Sequence, residues 1–350
     1  MRVTRRVLWV ACAFGMTVDG TSATAQAPVP APAIAPDPGK ISQAWWASYF
    51  KDSRLVALPD ARKLNLLCQG SGGPVVVLES GLGSGAWAWR ILQPMLSAHT
   101  KVCSYDRSGY GLSPPTELSR SAGAEADDLA ELLETAGLPG PYILVGHSLG
   151  GYIVRLYANR YPNRVAGIVL VDPASEHLYA RYSASVPPMA DARRKEETGA
   201  RTCIASVRAL APSPACPPAP AAGNPPAAWL ENWRAADPTR AVTAARETLE
   251  MEAASSDQLV AERRPLPIPL IILTRGTPED RPDFTGDQNR RLLQVWRDLQ
   301  LETLQYFRDA QLRVVDDTSH YIQSQRPQAV VDAVAELSAR ASSAANPAGQ

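Results

Sequence analysis

The run Tyr142-Ile143-Leu144-Val145 passes directly into Gly146-His147-Ser148-Leu149-Gly150, and residues 149–160 then carry helical spacing of apolar side chains. A short apolar run reads as a strand and the period that follows as a helix. The chain must therefore turn sharply at Ser148, and Gly on both sides of the corner leaves room for that turn. At such a corner the Ser148 hydroxyl stands clear of the sheet. The Leu149 N–H falls at a helix N-terminus, where donors are free and the dipole favours negative charge. The pattern G-x-S-x-G between strand and helix places a nucleophile beside half an oxyanion hole. The competing reading is a tight turn with an incidental serine.

The same alternation extends along the chain. Strand-type runs occur at Leu64–Cys68, Pro74–Glu79, Val102–Tyr105, Tyr142–Val145, Val165–Val171, Pro269–Thr274 and Leu312–Val315. Helical spacing occurs at 87–99, 124–136, 149–160, 288–307 and 327–337. Near-continuous apolar strands alternating with helices predict a mostly parallel sheet covered on both faces. The rhythm lapses between about 175 and 264, too long for a simple connection, so an inserted helical cap is expected over 177–264. The core is then expected at 41–176 and 265–340, with a disordered tail at 341–350. In the cap, Tyr179, Tyr182, Met189, Trp229, Trp233 and Met251 either line an apolar pocket or form the cap's own core. Arg193, Arg194 and Lys195 read as a solvated face.

A base for Ser148 can be sought among only four histidines. His99 ends an early helix and reads as a surface residue. His147 adjoins the serine and points elsewhere from a sharp turn. His177 lies at the mouth of the expected cap, where it could touch substrate. His320 follows the last strand, in Asp316-Asp317-Thr318-Ser319-His320, and is C-terminal to every other candidate. Nucleophile, acid, base is the chain order that goes with this motif. A loop after the last parallel strand also reaches the sheet edge where Ser148 stands. Glu79-Ser80-Gly81-Leu82-Gly83-Ser84-Gly85 follows an early strand. Its small residues let the backbone approach a substrate, making the Leu82 N–H the candidate second oxyanion donor. A flexible surface turn is the alternative there.

Taken together, SGLGSGAWAW, SYDRSGYGLS, GHSLGG and SHYIQSQRP, each after a strand and in this order, resemble the α/β-hydrolase superfamily over roughly residues 60–175 and 265–340. The resemblance implies an eight-stranded sheet in the order 1-2-4-3-5-6-7-8, flanked by helices. It also implies that Asp106-Arg107 with Gly109 and Gly111 shapes a loop beside the site. Two departures stand out. Ser80-Gly81 replaces the family's frequent His-Gly before the oxyanion residue. The acid is ambiguous: the family's commoner position, after strand seven, offers Glu279 or Asp280, whereas some members take it after strand six, where Asp172 ends a strongly apolar strand. Asp172 is favoured because its position is well fixed. Haloalkane dehalogenases and epoxide hydrolases of this superfamily use an aspartate nucleophile, and Ser148 argues against both.

Charge selects no partner, since 35 Lys and Arg balance 35 Asp and Glu; no basic excess points to nucleic acid. The N-terminus is more telling. Arg2, Arg5 and Arg6 precede an uncharged apolar stretch, Val7–Val18, and a small-residue stretch through Ala23-Thr24-Ala25. This reads as a secretory signal peptide over 1–25. The apolar run is shorter than the about 20 residues of a membrane span, although an uncleaved anchor is the alternative. Pro28, Pro30, Pro32, Pro36 and Pro38 mark a Pro/Ala-rich linker over 26–40. Cleavage after Ala25 leaves four cysteines, an even number suited to an oxidising compartment. Sequence order favours Cys68–Cys103 and Cys203–Cys216, and the family's strand order puts Cys68 and Cys103 on neighbouring strands.

These readings converge on an exported serine hydrolase that cleaves a small to medium hydrophobic carboxylic ester. Ser148 attacks, His320 moves the proton, Asp172 orients the imidazole, and the Leu82 and Leu149 N–H groups hold the oxyanion. Neither a metal nor an organic cofactor is implied, and no stable membrane span is expected in the mature protein. A proline-iminopeptidase-like peptidase is the alternative enzyme, with Glu176 as the carboxylate for a substrate amine. A non-catalytic binding protein on a hydrolase scaffold is the alternative of another class.

Overall fold

A computed structural model describes residues 38–209, 216 and 227–345. The expected signal segment, the expected linker up to residue 37, the Pro-rich run around Cys216 and residues 346–350 lie outside the described residues. The strands are β1 (Arg54–Ala57), β2 (Lys63–Gln69), β3 (Val76–Glu79), β4 (Val102–Asp106), β5 (Tyr142–His147), β6 (Val165–Val171), β7 (Leu266–Arg275) and β8 (Phe307–Val315). They form one sheet in the order β1-β2-β4-β3-β5-β6-β7-β8, the order the resemblance implies. β1–β2 and β2–β4 are antiparallel pairs, and the rest are parallel.

Strand alternation sends neighbouring residues to opposite faces, and both faces are buried. Val76, Leu78, Ile143, Val145, Val169 and Ile271 pack with Leu92 and Leu96 of α2 (Leu92–Ser97) and with Val330, Val334 and Leu337 of α11 (Pro327–Ala345). Val77, Leu144, Ile168, Leu170 and Ile272 pack on the other face with α3 (Ala122–Thr135) and α4 (Gly150–Arg160). Each such side chain, fully buried, contributes about 1.5–3 kcal/mol of transfer free energy. This two-sided wrapping fixes the register and leaves the ends of β5, β6, β7 and β8 at one carboxyl edge.

Several boundaries differ from the sequence reading. Helix α1 (Pro38–Asp52) takes up the last three residues assigned to the linker, because Pro at a first helical position loses no hydrogen bond. Its Trp45, Trp46 and Tyr49 bury against Leu67, Ala86 and Trp87. The helix expected over 87–99 is broken into a 3₁₀ turn, Ala86–Trp89, and α2. That break puts Pro94 in the first turn of α2, where its missing N–H costs nothing. After the short α10 (Ile322–Gln325), α11 runs to Ala345 rather than giving way to a disordered tail at 341, since Ala341, Ala344 and Ala345 are strong helix formers. β7 starts at Leu266 despite Pro267 and Pro269, and its register with β8 shifts on both sides of Pro269, which has no N–H for the ladder.

Between β6 and β7 the described residues form α5 (Leu178–Ser185), α6 (Pro188–Arg208), α7 (Ala227–Glu250), a π-helical turn (Met251–Ser255) and α8 (Ser256–Glu262). Arg193 of α6 is buried rather than solvated. Its guanidinium bonds Glu197, Glu196 and the Thr248 carbonyl and lies 4.3 Å over the Tyr179 ring. Cys68–Cys103 joins a directly opposed pair on β2 and β4, and Cys203–Cys216 ties α6 to the segment that follows it. No helix among the described residues is long and apolar enough to cross a membrane.

Candidate active site

Ser148 stands between β5 and α4 with φ of 52°, a left-handed conformation that costs a non-glycine residue about 1–2 kcal/mol. The neighbours hold it there. Its N–H donates to the Val171 carbonyl, and its own carbonyl accepts from Gly151 and Ala174. The flanking glycines answer to contacts. A Cβ on Gly146 would lie 2.6 Å from the Gly150 carbonyl oxygen, and one on Gly150 would lie 2.4 Å from that of Glu79. Among the described residues, the N–H groups of Leu149 and Leu82 have no protein acceptor. Gly81 presses against the serine, since a Cβ there would sit 3.1 Å from Ser148 Cβ and 2.9 Å from His147 Nδ1.

Of the three carboxylates weighed, Asp172 is the one bonded to His320: His320 Nδ1 donates to Asp172 Oδ2 at 2.6 Å. That bond fixes the tautomer and leaves Nε2 with its lone pair. Asp172 is fully buried at the end of β6, with φ of 42°. Trp296 Nε1 donates to its Oδ1 at 2.8 Å, the Arg275 N–H at 3.1 Å, and Arg275 Nη1 to its Oδ2 at 2.7 Å. Burial alone would raise this carboxyl's pKa. The His320 hydrogen bond and charge, with Arg275, more than offset burial and hold it at about 2. Glu279 instead faces Arg281 at 2.8 Å and Arg275 at 3.7 Å.

Arg275 and Trp296 escaped the sequence reading. Arg275 is the last residue of β7, one beyond the strand end expected at Thr274, and its guanidinium lies over the Trp296 ring. Trp296 sits on α9 (Gly286–Leu304) and meets the His320 ring edge-on at 5.7 Å. An apolar stripe on a helix gives no sign that one indole N–H will serve a carboxylate.

The other histidines separate clearly. His99 is exposed. His177 is exposed too and does not line the cavity described below. His147 is buried and its Nε2–H donates to the His320 carbonyl at 2.9 Å, so it braces the base from behind. Burial, helped by the neighbouring His320, lowers its pKa to about 3 and keeps it neutral. Glu176 is taken by Arg155 at 3.0 Å, with Arg263 at 3.8 Å.

A cavity of about 780 Å³ adjoins the elbow. Leu82, Trp87, His147 and Tyr321 line it from the core, and Ala200 and Ala244 from α6 and α7. Ser148 follows His147 in the chain and is not itself one of the lining residues. Tyr182, Met189 and Met251 are buried in the main core and Tyr179 packs on it; none lines the cavity. The side chains of Trp229 and Trp233 lie outside the described residues. Among the described residues, no group of three or more His, Cys, Asp or Glu is placed to hold a metal ion.

Comparison with known proteins agrees with this architecture. The chain is 36% identical over 129 residues to the (lyso)-N-acylphosphatidylethanolamine lipase of Mus musculus, covering 35% of this chain and 37% of that protein. The curated relatives are matched over only 16% to 43% of their own length. Among solved structures, a thermophilic esterase from Thermogutta terrifontis aligns with a TM-score of 0.52 at 21% identity, over 83% of this chain and 98% of that one. The epoxide hydrolase CorEH aligns with a TM-score of 0.55 at 16% identity, over 82% and 98%. These structural likenesses concern the fold. The model of the alpha/beta hydrolase family matches residues 75–333. That match takes in β3 through the first two turns of α11, including the elbow, and by it the chain belongs to the alpha/beta hydrolase family.

Proposed function

We propose that the protein is an exported serine hydrolase of carboxylic esters. The observation that carries the reading is the Asp172–His320 hydrogen bond at the sheet edge where Ser148 occupies its strained corner. His320 Nε2 takes the Ser148 proton as Oγ bonds to the substrate carbonyl carbon. The carbonyl electron pair moves onto oxygen, where the Leu82 and Leu149 N–H groups receive it. Collapse of this intermediate breaks the bond to the alcohol oxygen, which leaves with the proton from His320. Water then repeats the sequence on the acyl-enzyme, again through His320, and releases the acid. Asp172 keeps Nδ1–H directed at itself throughout and stabilises the transient imidazolium.

Ester rather than amide chemistry is favoured by the lipase and esterase names among the similar proteins. The apolar part of the cavity lining, Leu82, Trp87, Ala88 and alanines of α6 and α7, suits a small to medium hydrophobic acyl group, beside polar residues such as Arg90, Glu196, Arg240 and Gln323. Export accords with the two disulfides. The test is labelling with a fluorophosphonate probe and turnover of p-nitrophenyl esters of graded length. Labelling should be stoichiometric in the wild type, absent in Ser148→Ala and strongly slowed in His320→Ala. A folded wild type that neither labels nor turns over any ester refutes the reading.

A further inference from the structure

A buried ion cluster links the cap to the loop that carries the candidate oxyanion donor. Arg107, just past β4, is 3% exposed at its side chain, and Glu79, Glu125 and Glu247 are 0–1% exposed. Arg107 Nη1 donates to the Ser80 carbonyl at 2.7 Å and to Glu79 Oε1 at 2.8 Å. Nη2 donates to the Gly81 carbonyl at 3.0 Å. The peptides 80–81 and 81–82 are trans. In a trans peptide the N–H points opposite to the carbonyl. Two carbonyls drawn to Arg107 therefore turn the N–H groups of Gly81 and Leu82 the other way.

The far side of Arg107 belongs to the cap. Glu247 of α7 takes Arg107 in a fork, Nε to Oε1 and Nη2 to Oε2, both at 3.1 Å. Its Oε2 also accepts from Tyr110 Oη at 2.8 Å and faces the Gly83 N–H at 3.5 Å, so this one carboxylate touches both the arginine and the oxyanion loop. One turn earlier on α7, Thr243 lies against Gly109, where a Cβ would be 2.1 Å from Thr243 Oγ1. Burial opposes the charge on Glu247, but Arg107 and Arg120 prevail and hold its pKa below the usual range. Glu125, likewise buried, is pushed well above that range. Together these directions leave the charge on the carboxylate that meets the cap boundary.

We propose that Glu247, acting through Arg107, is a positioning residue that sets the oxyanion loop, so the loop presents the Leu82 N–H only while α7 is seated on the core. Loss of Glu247 leaves Arg107 held by Glu79 and Glu125, each at 2.8 Å, but removes the carboxylate that faces Nη2 and the Gly83 N–H together, so the 81–82 peptide, whose carbonyl Nη2 holds, loses its orientation. Substrate binding in the cavity is affected little, because Glu247 does not line it. The inference rests on the serine-hydrolase reading above.

The experiment compares Glu247→Gln with the wild type on matched aryl esters and thionoesters. A thiono sulfur accepts hydrogen bonds poorly, so the ratio of ester to thionoester kcat reports the oxyanion donors. Glu247→Gln should lower ester kcat about 10²-fold, the size of one lost oxyanion donor, with KM within about threefold and the ratio collapsing toward one. Arg107→Lys keeps the charge and loses the fork, and should lower the same ratio. Glu250→Gln is the comparison: Glu250 tethers α7 to the Arg120 N–H at 2.8 Å and to Ser119 without touching the loop, so its ratio should stay at the wild-type value. If Glu247→Gln keeps the wild-type ratio while Ser148 still labels, the positioning role is wrong and the hydrolase reading stands. If both Glu247→Gln and Arg107→Lys fail to fold, Glu247→Asp decides: a shortened carboxylate that folds with an unchanged ratio overturns the proposal, and a reduced one supports it.

Discussion

Replacing Asp172 with Asn tests stability and catalysis in one molecule. Arg275 is 3% exposed at its side chain and has Asp172 at 2.7 Å; its other carboxylate, Glu279, is 3.7 Å away and a third exposed. Two estimates bracket the cost. The fall of the Asp172 pKa from 3.8 to about 2 corresponds to about 2 kcal/mol of preference for the charged form in the fold. That figure is a lower bound, because burial of the carboxylate opposes it. Removing one partner of a buried pair typically costs about 3–5 kcal/mol, since the other charge is left uncompensated. Because the folded pKa is depressed, this stability is fully present above pH ~4 and is lost as pH falls toward ~2. Asp172→Asn should therefore lower the urea midpoint at pH 7 by the equivalent of about 2–5 kcal/mol. It should also cut kcat by roughly 10³–10⁴-fold by releasing the His320 tautomer. Adding Arg275→Met should restore most of the stability and none of the activity. A wild-type urea midpoint for Asp172→Asn, or further loss in the double variant, would refute the buried-pair account. Activity within tenfold of wild type would move the acid to Glu279.

Three further outcomes are expected. As pH drops from ~6.5 toward ~3, the unfolded chain takes a proton that native His147 refuses, so stability falls by up to about 1.4 kcal/mol per pH unit; His147→Gln, which keeps a donor for the His320 carbonyl, should flatten that slope in urea titrations at pH 5, 6 and 7, and coincident slopes would contradict the buried neutral imidazole. Gly81→Ala places a Cβ 2.9 Å from His147 Nδ1 and 3.1 Å from Ser148 Cβ, which should displace the loop enough to cost about 10²-fold in kcat without changing the circular dichroism spectrum; unaltered turnover would show that the loop can yield. Removing the Cys68–Cys103 bridge, whose cysteines are 35 residues apart, should cost about 4 kcal/mol by loop-closure entropy, read as a lower thermal midpoint, and an unchanged midpoint would place the bridge outside the cooperative unit.

The central sheet was readable because its strands are buried on both faces, and such strands announce themselves as unbroken apolar runs such as Val165–Val171. The candidate elbow was readable because its geometry admits few residue types. β1 and the first half of β8 were not, because edge strands lack a second buried face: Arg54, Arg308 and Asp309 carry no strand signal. The start of β7 was hidden by Pro267 and Pro269. In the candidate site, the ambiguity over the acid was real in sequence terms, since Asp172, Glu279 and Asp280 all follow strands at one sheet edge. What distinguishes Asp172 is the Trp296 and Arg275 donors, from an element more than a hundred residues away in the chain and from the strand beside it. No local pattern encodes such contacts. Likewise, Arg193-Arg194-Lys195 looks solvated as a string, and only the helix period with Tyr179 alongside turns Arg193 inward.

The outermost strands bear on how the chain behaves when many copies are crowded together. A sheet of eight strands ends in two rows of backbone groups that could recruit another molecule. β1 is only four residues long. β8 is nine residues long, but exposes Arg308 and Asp309 next to the point where its pairing with β7 slips at Pro269, and Asp309 there has φ of 52°. Arg313 lies further along and is engaged by Glu336 at 2.6 Å. A neighbour adding itself to β8 would meet a kinked backbone with charges that resist desolvation. Both margins of the sheet thus discourage strand-by-strand growth into aggregates, a useful property for a chain whose interior strands are among the most β-prone segments it has.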